Sequence, residues 1–332
     1  MIVIASCKRE KAVTPTTNTG TPKSVGLYEA DSSIYKLLII AVSKVGTQTV
    51  PAAAQGFVFD TGSGGMVIDA NGILPASMIS STGFNFTGDS TVVNGITITK
   101  QTSVVQYGSG LATADKVYGN LAYASVTIGD ANGSFVIKRL PFFIYYKAVD
   151  YKGNNYDADE FNTFGVAEEY DISFPDGAYI TSPFSYFDPG PGLTRGFKMA
   201  AIGTSHFSYN GTYVPGVVTL GLTGADLASS SGFTTTQLYF YAGQGYPPII
   251  PATINYNNKP FAAKVLFDTG TEPYSYIEDP SLSTDELLLP SNTYVTVATN
   301  SGFNYNYTVT ASDNLTYIEN PAVTGSNVSI IG

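Results

Sequence analysis

The sequence is poor in the residue types that build metal centres, disulfides and nucleophilic triads. Its 332 residues contain one cysteine, Cys7, and one histidine, His206. An intrachain disulfide is therefore excluded, and so is a zinc site built from cysteine and histidine. A Ser-His-Asp triad would need His206, but the surrounding GTSHFS lacks the G-x-S-x-G pattern of a nucleophile elbow. We expect His206 to be a loop or strand-end residue.

Charged residues are also scarce, at 13% of the chain, and Asp and Glu outnumber Lys and Arg by 26 to 16. The basic residues form no stripe or block, so the sequence predicts no nucleic-acid partner. The chain contains no P-loop and no G-x-G-x-x-G motif after a strand, so the sequence carries neither of these signatures for binding a nucleotide cofactor. We expect the protein to work without a cofactor.

Long apolar runs are missing. The sequence contains no stretch of about 18 apolar residues, the length needed to span a bilayer. The start, MIVIASC, resembles a bacterial lipobox, in which the cysteine is acylated after signal cleavage. Six residues are too few for a signal peptide, so an upstream start has been lost or Cys7 is a stray or buried free cysteine. The first interpretation predicts lipidation at Cys7 and an exported protein, lipid-anchored to the bacterial envelope or extracellular. The polar, Thr- and Pro-rich residues up to Ser24 then form a flexible tether.

Short apolar or alternating runs separated by turn residues recur from Val25 onward, and helical periodicity is rare. VTIGDANGSFVI, for example, is typical of two strands around a Gly/Asn/Asp turn. The pattern predicts a mostly β protein. Its length exceeds what one core usually supports, so we expect two lobes.

The segment Asp150–Gly196 differs from the rest because acidic residues, Pro and Gly cluster there. It predicts an elaborated surface loop. A calcium site around Asp157, Asp159 and Glu160 is conceivable, but their spacing does not fit an EF-hand loop. A solvated acidic loop is the favoured interpretation, and no other metal site is predicted.

The string F-D-T-G occurs twice, in FVFDTGSGGM (Phe57–Met66) and KVLFDTGTEP (Lys264–Pro273), each time after an apolar run. An apolar strand ending in Asp-Thr-Gly places a carboxylate on a tight turn at the edge of a core. Two matched copies suggest two similar lobes whose acids, Asp60 and Asp268, face each other.

Two facing carboxylates a few ångströms apart resist ionising together and share one proton over a wide pH range. The ionised member of such a pair can deprotonate a water molecule while the protonated member polarises a carbonyl group. The pair titrates as a unit. This is the chemistry of metal-free hydrolysis.

These residues resemble the active-site signatures of the pepsin-like aspartic proteases. VVQYGSG, within Val104–Gly129, resembles the flap hairpin of that family. Gly196–Ser208 resembles the apolar-apolar-Gly segment of the first lobe, Gly216–Leu227 the strand leading to the second lobe, and Val328–Gly332 the apolar-apolar-Gly of the second lobe. The resemblance covers nearly the whole chain from Val25 and implies a bilobal, mostly β fold.

The resemblance also implies roles for single residues. The catalytic pair would be Asp60 and Asp268, and the flap would carry Tyr107, Gly108 and Gly110. The supporting residues would be Thr61, Gly62, Ser63, Thr269, Gly270 and Thr271, with the two threonines cross-bonding the lobes. The implied activity is a monomeric endopeptidase acting on extended polypeptide. The implied division is a tether over 1–24, a first lobe over 25–222 and a second lobe over 223–332.

Three departures from the family pattern stand out. The chain has no tryptophan to hold Tyr107, and Gly64–Val67 follow the first signature instead. No basic pro-segment precedes the first strand, as in simpler bacterial members without zymogen or disulfides. The sequence stops at Gly332, before the family's final strands, which favours a fragment of a longer product.

Two other function classes remain open at this stage. A catalytically inactive relative could use the same cleft as a binding or inhibitor module, although such proteins tend to lose a signature residue or the flap. A Thr-, Asn- and Gly-rich surface adhesin could carry Asp-Thr-Gly turns by chance. The ordered accessory motifs favour the protease over both.

Overall fold

The computed structural model describes residues 20–32, 35–108, 114–203, 206–271, 274–312 and 314–332. Two large β-sheets dominate this part of the chain, one in each half. The prediction of a mostly β, two-lobed protein is confirmed.

The strands of the first half are β1 (Lys23–Ser32), β2 (Tyr35–Val45), β3 (Gln48–Thr49), β4 (Gly56–Asp60), β5 (Gly64–Asp69), β6 (Ile79–Ser80), β7 (Gly83–Phe84), β8 (Ser90–Val93), β9 (Ile96–Tyr107), β10 (Asp115–Asp130), β11 (Gly133–Val149), β12 (Thr163–Val166), β13 (Ile172–Ser173), β14 (Tyr179–Ile180), β15 (Thr194–Met199) and β16 (Thr212–Leu222). Most of them form one sheet in the order β15-β16-β1-β2-β4-β12-β5-β11-β10-β9-β8, with β3 beside β2. The pairs β6–β7 and β13–β14 are separate.

The strands of the second half are β17 (Ile250–Tyr256), β18 (Lys259–Phe267), β19 (Tyr274–Glu278), β20 (Glu286–Leu288), β21 (Tyr294–Thr299), β22 (Asn304–Thr308), β23 (Leu315–Glu319) and β24 (Val328–Ile331). They form the second sheet in the order β20-β23-β19-β24-β18-β17-β21-β22. The two sheets divide the described chain between Leu222 and Ile250.

Helical structure is short. One α-helical turn, α1 (Pro321–Thr324), is capped by the side chain of Asn320 and ends at the left-handed Gly325. The described residues include 3₁₀ turns at Ala52–Ala54, Ala76–Met78, Pro183–Tyr186 and Ser229–Ser231. Within the described ranges, no helix is long and apolar enough to cross a membrane.

The hairpins follow from local turn chemistry. Asn94 and Gly95 join β8 to β9 with φ values of 53° and 72°, and Val93 pairs with Ile96 across the turn. Asn-Gly takes these left-handed angles at low cost, and they suit the twist of a two-residue hairpin. The predicted hairpin around residues 130–133 is present as well, with Asp130 opposite Gly133.

The same strand arrangement occurs around both Asp-Thr-Gly sequences. In the first sheet β12 lies between β4 and β5, parallel to β4 and antiparallel to β5. In the second sheet β24 lies between β18 and β19, parallel to β18 and antiparallel to β19. The two lobes therefore repeat one motif, in which a short inserted strand separates the two strands that flank the acidic loop.

The position of the inserted strand in the first lobe shows that two of the sequence predictions are wrong. Gly196–Ser208 was expected to supply it, but Thr194–Met199 forms the edge strand β15 instead. The inserted strand is Thr163–Val166, where Gly165 pairs with Asp60. It lies inside Asp150–Gly196, so that segment is not only a surface loop. In the second lobe, Val328–Ile331 occupies the expected place.

Each lobe has its own apolar core. In the first lobe Phe57 and Phe59 of β4, Phe164 of β12 and Phe184 belong to one buried cluster. In the second lobe Val265, Ile277, Ile318 and Ile331 belong to another, with further aliphatic residues of β17 and β21. The inserted strands thus bring their apolar side chains under the acidic loops.

We predict that Phe164→Ala lowers the free energy of unfolding by about 3–5 kcal/mol, because Phe164 is fully buried in the central inserted strand. Phe233→Ala is the matched control, since Phe233 is 59% exposed, and its loss should stay within about 0.5 kcal/mol. Urea unfolding measures both. Equal losses in the two variants would contradict the placement of Thr163–Val166.

Candidate active site

Both predicted catalytic acids lie where a strand ends. Asp60 is the last residue of β4, and Asp268 directly follows β18. The strands place apolar side chains such as Phe59 and Val265 in the lobe cores. The carboxyl groups are thereby carried to the boundary between the two lobes.

The loop after Asp60 turns its donors toward that carboxylate. The N–H groups of Gly62 and Ser63 donate to Asp60 Oδ1 over 2.7 Å and 3.1 Å. The hydroxyl of Ser63 donates to the other oxygen, Oδ2, over 2.5 Å. Donors on both oxygens favour the ionised form of Asp60.

The loop after Asp268 repeats this pattern. The Gly270 N–H donates to Asp268 Oδ1 over 2.7 Å, and the Thr271 hydroxyl donates to Oδ2. Ser63 and Thr271 therefore hold equivalent positions in the two loops. All four residues are the ones that the sequence assigned to support the acids.

Thr61 and Thr269 join the two loops across the lobe boundary. The Thr61 hydroxyl donates to the carbonyl of Phe267 over 2.9 Å, and the Thr269 hydroxyl donates to the carbonyl of Phe59 over 2.6 Å. Each hydroxyl also accepts from the other threonine's N–H, over 3.0 Å and 3.2 Å. This reciprocal set fixes the two loops side by side.

The two carboxyl groups come close enough to share a hydrogen bond. A β-carbon on Gly62 would lie 2.5 Å from Cγ of Asp268, and one on Gly270 would lie 2.9 Å from Cγ of Asp60. Only glycine allows each loop to approach the opposite carboxyl group so closely. Burial and the nearby Asp268 charge raise the pKa of Asp60 to about 7, although its Ser63 and Gly62 donors oppose the shift.

Tyr107, which the sequence predicted to lie on a flap, contacts Thr163 and Phe161. Tyr107 ends β9, which pairs with β10 as a hairpin. Its hydroxyl lies 3.5 Å from Oγ1 of Thr163, and its ring packs against Phe161 with centroids 5.3 Å apart. Gly108 follows with φ at 104°. The predicted flap residue Gly110 and the predicted lipidation site Cys7 lie outside the described residues.

Several residues at this site were not identified from the sequence. Gly165 of the inserted strand approaches Ser63 so closely that a β-carbon would lie 2.6 Å from the Ser63 carbonyl oxygen. Just beyond it, Asp171 Oδ2 accepts from the N–H of Gly64 over 2.6 Å, and Glu169 lies beside Asp171. In the sequence, only the short run Thr163–Val166 points to these residues. It has the apolar-Gly pattern that the sequence analysis assigned to Gly196–Ser208 instead.

The other candidate residues have local roles. Asp159 accepts from Asn162 Nδ2 over 3.0 Å and has φ at 67°. Asp157 and Glu160 are exposed. Across the part of the chain that the structure describes, no group of three His, Cys, Asp or Glu side chains is arranged to hold a metal ion. His206 Nδ1 lies 3.6 Å from Oε2 of Glu29 on β1.

Comparison with known proteins places this geometry in a known scaffold. Basic 7S globulin from soybean is similar over 95% of this chain and 91% of its own, with a TM-score of 0.50 and 11% identity. The chain has the pepsin-like bilobal fold. The solved structure of edgp is similar over 94% of this chain and 90% of its own, with a TM-score of 0.48 and 12% identity. No family model and no curated protein sequence matches.

Identity this low shows the fold alone. Asp60 and Asp268 meet at the boundary between the two lobes of this fold. The chemistry of the cleft must therefore be judged from the side chains themselves.

We predict that stability decreases as pH rises from about 4 to 7. Asp60 has a folded pKa of about 7, above the ordinary value of an unfolded aspartate, so the folded state binds more protons in this window. In Asp60→Asn the decrease in the free energy of unfolding across this pH window should be smaller than in the wild type by roughly 2–4 kcal/mol. Urea unfolding at successive pH values measures it, with the exposed Asp157→Asn as control. An identical slope in Asp60→Asn and the wild type would exclude a shared proton.

A second prediction concerns the threonine cross-bonds. Thr61→Val and Thr269→Val should each cost about 1–3 kcal/mol, because each leaves a carbonyl and an N–H without a partner. The double variant should cost less than the sum, since both changes break one network. Thr61→Ser keeps the hydroxyl and serves as the control. Strict additivity in urea unfolding would show that the two loops are independent.

Proposed function

We propose that this protein is an aspartic endopeptidase that hydrolyses extended polypeptide in the cleft between its lobes. The observation that carries the proposal is the pair of Asp60 and Asp268. Their carboxyl groups are within hydrogen-bonding reach, and each has a backbone donor on one oxygen and a hydroxyl donor on the other. Donors on both oxygens hold each carboxyl group in place, and two carboxyl groups that share one proton can act as an acid and a base together.

The proposed reaction begins with one proton on the pair. The ionised carboxylate takes a proton from water as the water oxygen attacks the carbonyl carbon of the peptide. The protonated carboxyl gives its proton to the carbonyl oxygen, so a neutral tetrahedral diol forms. The first carboxyl then protonates the amide nitrogen and the C–N bond breaks. The second carboxyl takes back a hydroxyl proton, which restores the starting state.

The hydrogen bonds around the pair suit this cycle. Donors from Gly62, Ser63, Gly270 and Thr271 are already in place, so little reorganisation is needed as charge moves between the carboxyls. The Thr61–Thr269 cross-bonds hold the distance between the two acids. Since the catalytic power depends on that distance, a loosened pair should lose activity before it loses the fold.

The flap supplies a substrate-binding edge. Tyr107 lies at the end of the β9–β10 hairpin and contacts Thr163 of the inserted strand. Main-chain groups of such a hairpin can hold a peptide in an extended conformation. Closure over the peptide would exclude bulk water from the site and leave the attacking water molecule at the reacting carbonyl.

Binding without hydrolysis is the alternative function of the same cleft. The solved structure that supports the fold is named as a globulin, a name that carries no enzymatic activity. A protein that binds polypeptide or another ligand between the lobes would use the same scaffold. The donors around both acids are the observation that supports catalysis, and a cleavage assay distinguishes the two functions.

The proposed site of action is outside the cytoplasm, with the chain held at a bacterial envelope through a lipid on Cys7. This proposal rests on the MIVIASC start and the polar residues after it. Mass spectrometry of the membrane fraction would detect the acyl group, and Cys7→Ser would release the protein if the proposal is correct.

We predict that the Cys7→Ser chain cleaves denatured protein substrates and that pepstatin blocks the cleavage. Asp268→Ala should lower kcat by at least about 1,000-fold, because a single carboxyl cannot act as acid and base together. The assay runs from pH 3 to pH 8, and circular dichroism confirms that the variant is folded. Asp157→Asn is the control and should remain active.

The outcomes separate the two functions. Cleavage that is lost in Asp268→Ala and blocked by pepstatin supports the endopeptidase. A folded wild-type chain that binds pepstatin or unfolded polypeptide at every pH but cleaves nothing would overturn the proposal and leave binding as the function.

A further inference from the structure

Four aromatic side chains, which together are termed the aromatic patch, form a row on the surface of the first lobe. Tyr170 and Tyr179 stack with ring centroids 3.7 Å apart. Phe240 meets Tyr170 edge to face at 6.3 Å, and Tyr246 meets Phe240 at 5.4 Å. Tyr179, Phe240 and Tyr246 are 43%, 54% and 43% exposed, so much of each ring faces water. A contiguous group of exposed rings is typical of a binding surface.

The patch is built from two segments that are bonded to each other. The N–H of Tyr170 donates to the carbonyl of Gln244 over 3.0 Å, and the N–H of Tyr246 donates to the carbonyl of Glu168 over 3.0 Å. Gly245 lies between them with φ at 73°, and a β-carbon there would lie 2.6 Å from the Glu168 carbonyl oxygen. The backbone that carries the rings is therefore held in place before any ligand arrives, which lowers the entropy cost of binding.

The patch begins beside the first Asp-Thr-Gly loop. Asp171, the residue after Tyr170, accepts from the N–H of Gly64 over 2.6 Å. Two residues further on, the carbonyl of Ser173 accepts from the hydroxyl of Ser103 on β9 over 2.8 Å. The segment that carries Tyr170 thus lies between the first Asp-Thr-Gly loop and β9. An extended polypeptide that leaves the proposed active site on this side meets the patch.

Carboxylates lie on the same exposed side as the rings. Glu168 and Asp171 are exposed. Asp171 and Ser173 flank the buried Ile172, and Ser173 pairs with Tyr179 across the β13–β14 hairpin. Because successive side chains of a strand point to opposite faces, Asp171 and Tyr179 both project toward solvent.

The two segments that build the patch supply no positive charge of their own. Residues 153–194 and 223–249 contain no Lys and no Arg. Within the part of the chain that the structure describes, neither Glu168 nor Asp171 forms an ion pair, and the cation–π contacts involve rings outside the patch. Aromatic faces and carboxylates both attract cations. An apolar partner would use the rings alone, whereas a basic partner uses the rings and the carboxylates.

We propose that the aromatic patch, together with Glu168 and Asp171, binds Lys or Arg side chains of the polypeptide substrate, so that the protein prefers basic segments. This inference rests on the proposed endopeptidase function and names its class of substrate. The aliphatic stem of the basic side chain lies along the rings, and its charged head lies near the carboxylates. The formal net charge of −10 adds a long-range attraction for a basic polypeptide.

The test measures peptide binding to the Asp268→Ala chain, in which cleavage is removed and folding is confirmed by circular dichroism. The probes are two fluorescein-labelled peptides of Ala, Ser and Leu with equal length, one carrying several lysines and the other glutamine at the same positions. Fluorescence anisotropy at about pH 7.5, where exposed carboxylates are ionised, measures both affinities. The lysine peptide should bind about tenfold more tightly at low ionic strength, and the preference should shrink in about 0.5 M salt.

Variants of the patch identify where the lysines bind. Phe240→Ala and Asp171→Asn should each reduce the lysine preference about two- to fivefold, and the double variant should remove it. Asp171→Asn removes the charge, but its amide oxygen can still accept from the N–H of Gly64. Phe240→Leu keeps an apolar side chain without a ring and should behave like Phe240→Ala, whereas Phe240→Tyr should keep the preference.

Two control variants match these changes elsewhere on the surface. Tyr209→Ala removes a ring that is 84% exposed and lies outside the patch, and Asp157→Asn removes an exposed charge. Both should leave the lysine preference unchanged. Equal binding of the two peptides, or a preference that persists in the double variant, would overturn the inference. So would binding of maltohexaose that is lost in Phe240→Ala while the two peptides bind equally, because the patch would then recognise a neutral glycan.

Cleavage by the Cys7→Ser chain, whose dyad is intact, separates this inference from the proposed function. If both hold, kcat/KM is higher for the lysine peptide because KM is lower, while kcat is similar for the two peptides. If this chain cleaves neither peptide but Asp268→Ala shows the patch-dependent preference, the endopeptidase proposal fails and the patch remains a binding surface for basic polypeptide. If it cleaves both peptides equally well and no preference is found, the endopeptidase stands and the inference fails.

Discussion

The close approach of two carboxyl groups is the constraint on which the rest of this structure depends. Two like charges in a partly buried site repel each other, and without compensation the site would separate or keep both acids protonated. The protein compensates with donors from its own loops, which reach both oxygens of each acid. The same arrangement that makes the pair costly to fold is the one that the proposed hydrolysis requires.

The scaffold follows from this constraint. Each acid needs a short loop that folds back on its own carboxylate, and each loop needs a glycine where the opposite carboxyl approaches. The loops are supported from below by an inserted strand, β12 in one lobe and β24 in the other, whose apolar side chains join the cores. The threonine cross-bonds then fix the two lobes at the distance that the acids require. The fold, the glycine positions and the threonine cross-bonds thus act together to hold the two acids close to each other.

The surroundings of the pair are adapted in ways that are specific to this chain. Tyr107 contacts Phe161 and Thr163 rather than a tryptophan, so the end of β9 is positioned by the same segment that supports the loop after Asp60. That segment continues into Glu169 and Asp171 and clamps the loop from behind. One stretch of chain therefore links the flap, the inserted strand and the acidic environment, and a change there should affect several properties of the site together.

The sequence by itself determined the class of fold and the residues of the dyad, because a repeated F-D-T-G after apolar runs is a local pattern with a local cause. The threonine, glycine and hydroxyl partners follow from the same short motifs. The sequence led to the wrong inserted strand, since four residues such as Thr163–Val166 resemble many other apolar-Gly runs. Only pairing with the distant β4 and β5 identifies that strand. The hydrogen bond from the Gly64 N–H to Asp171 was likewise decided by the tertiary structure, because the two residues are 107 positions apart along the chain.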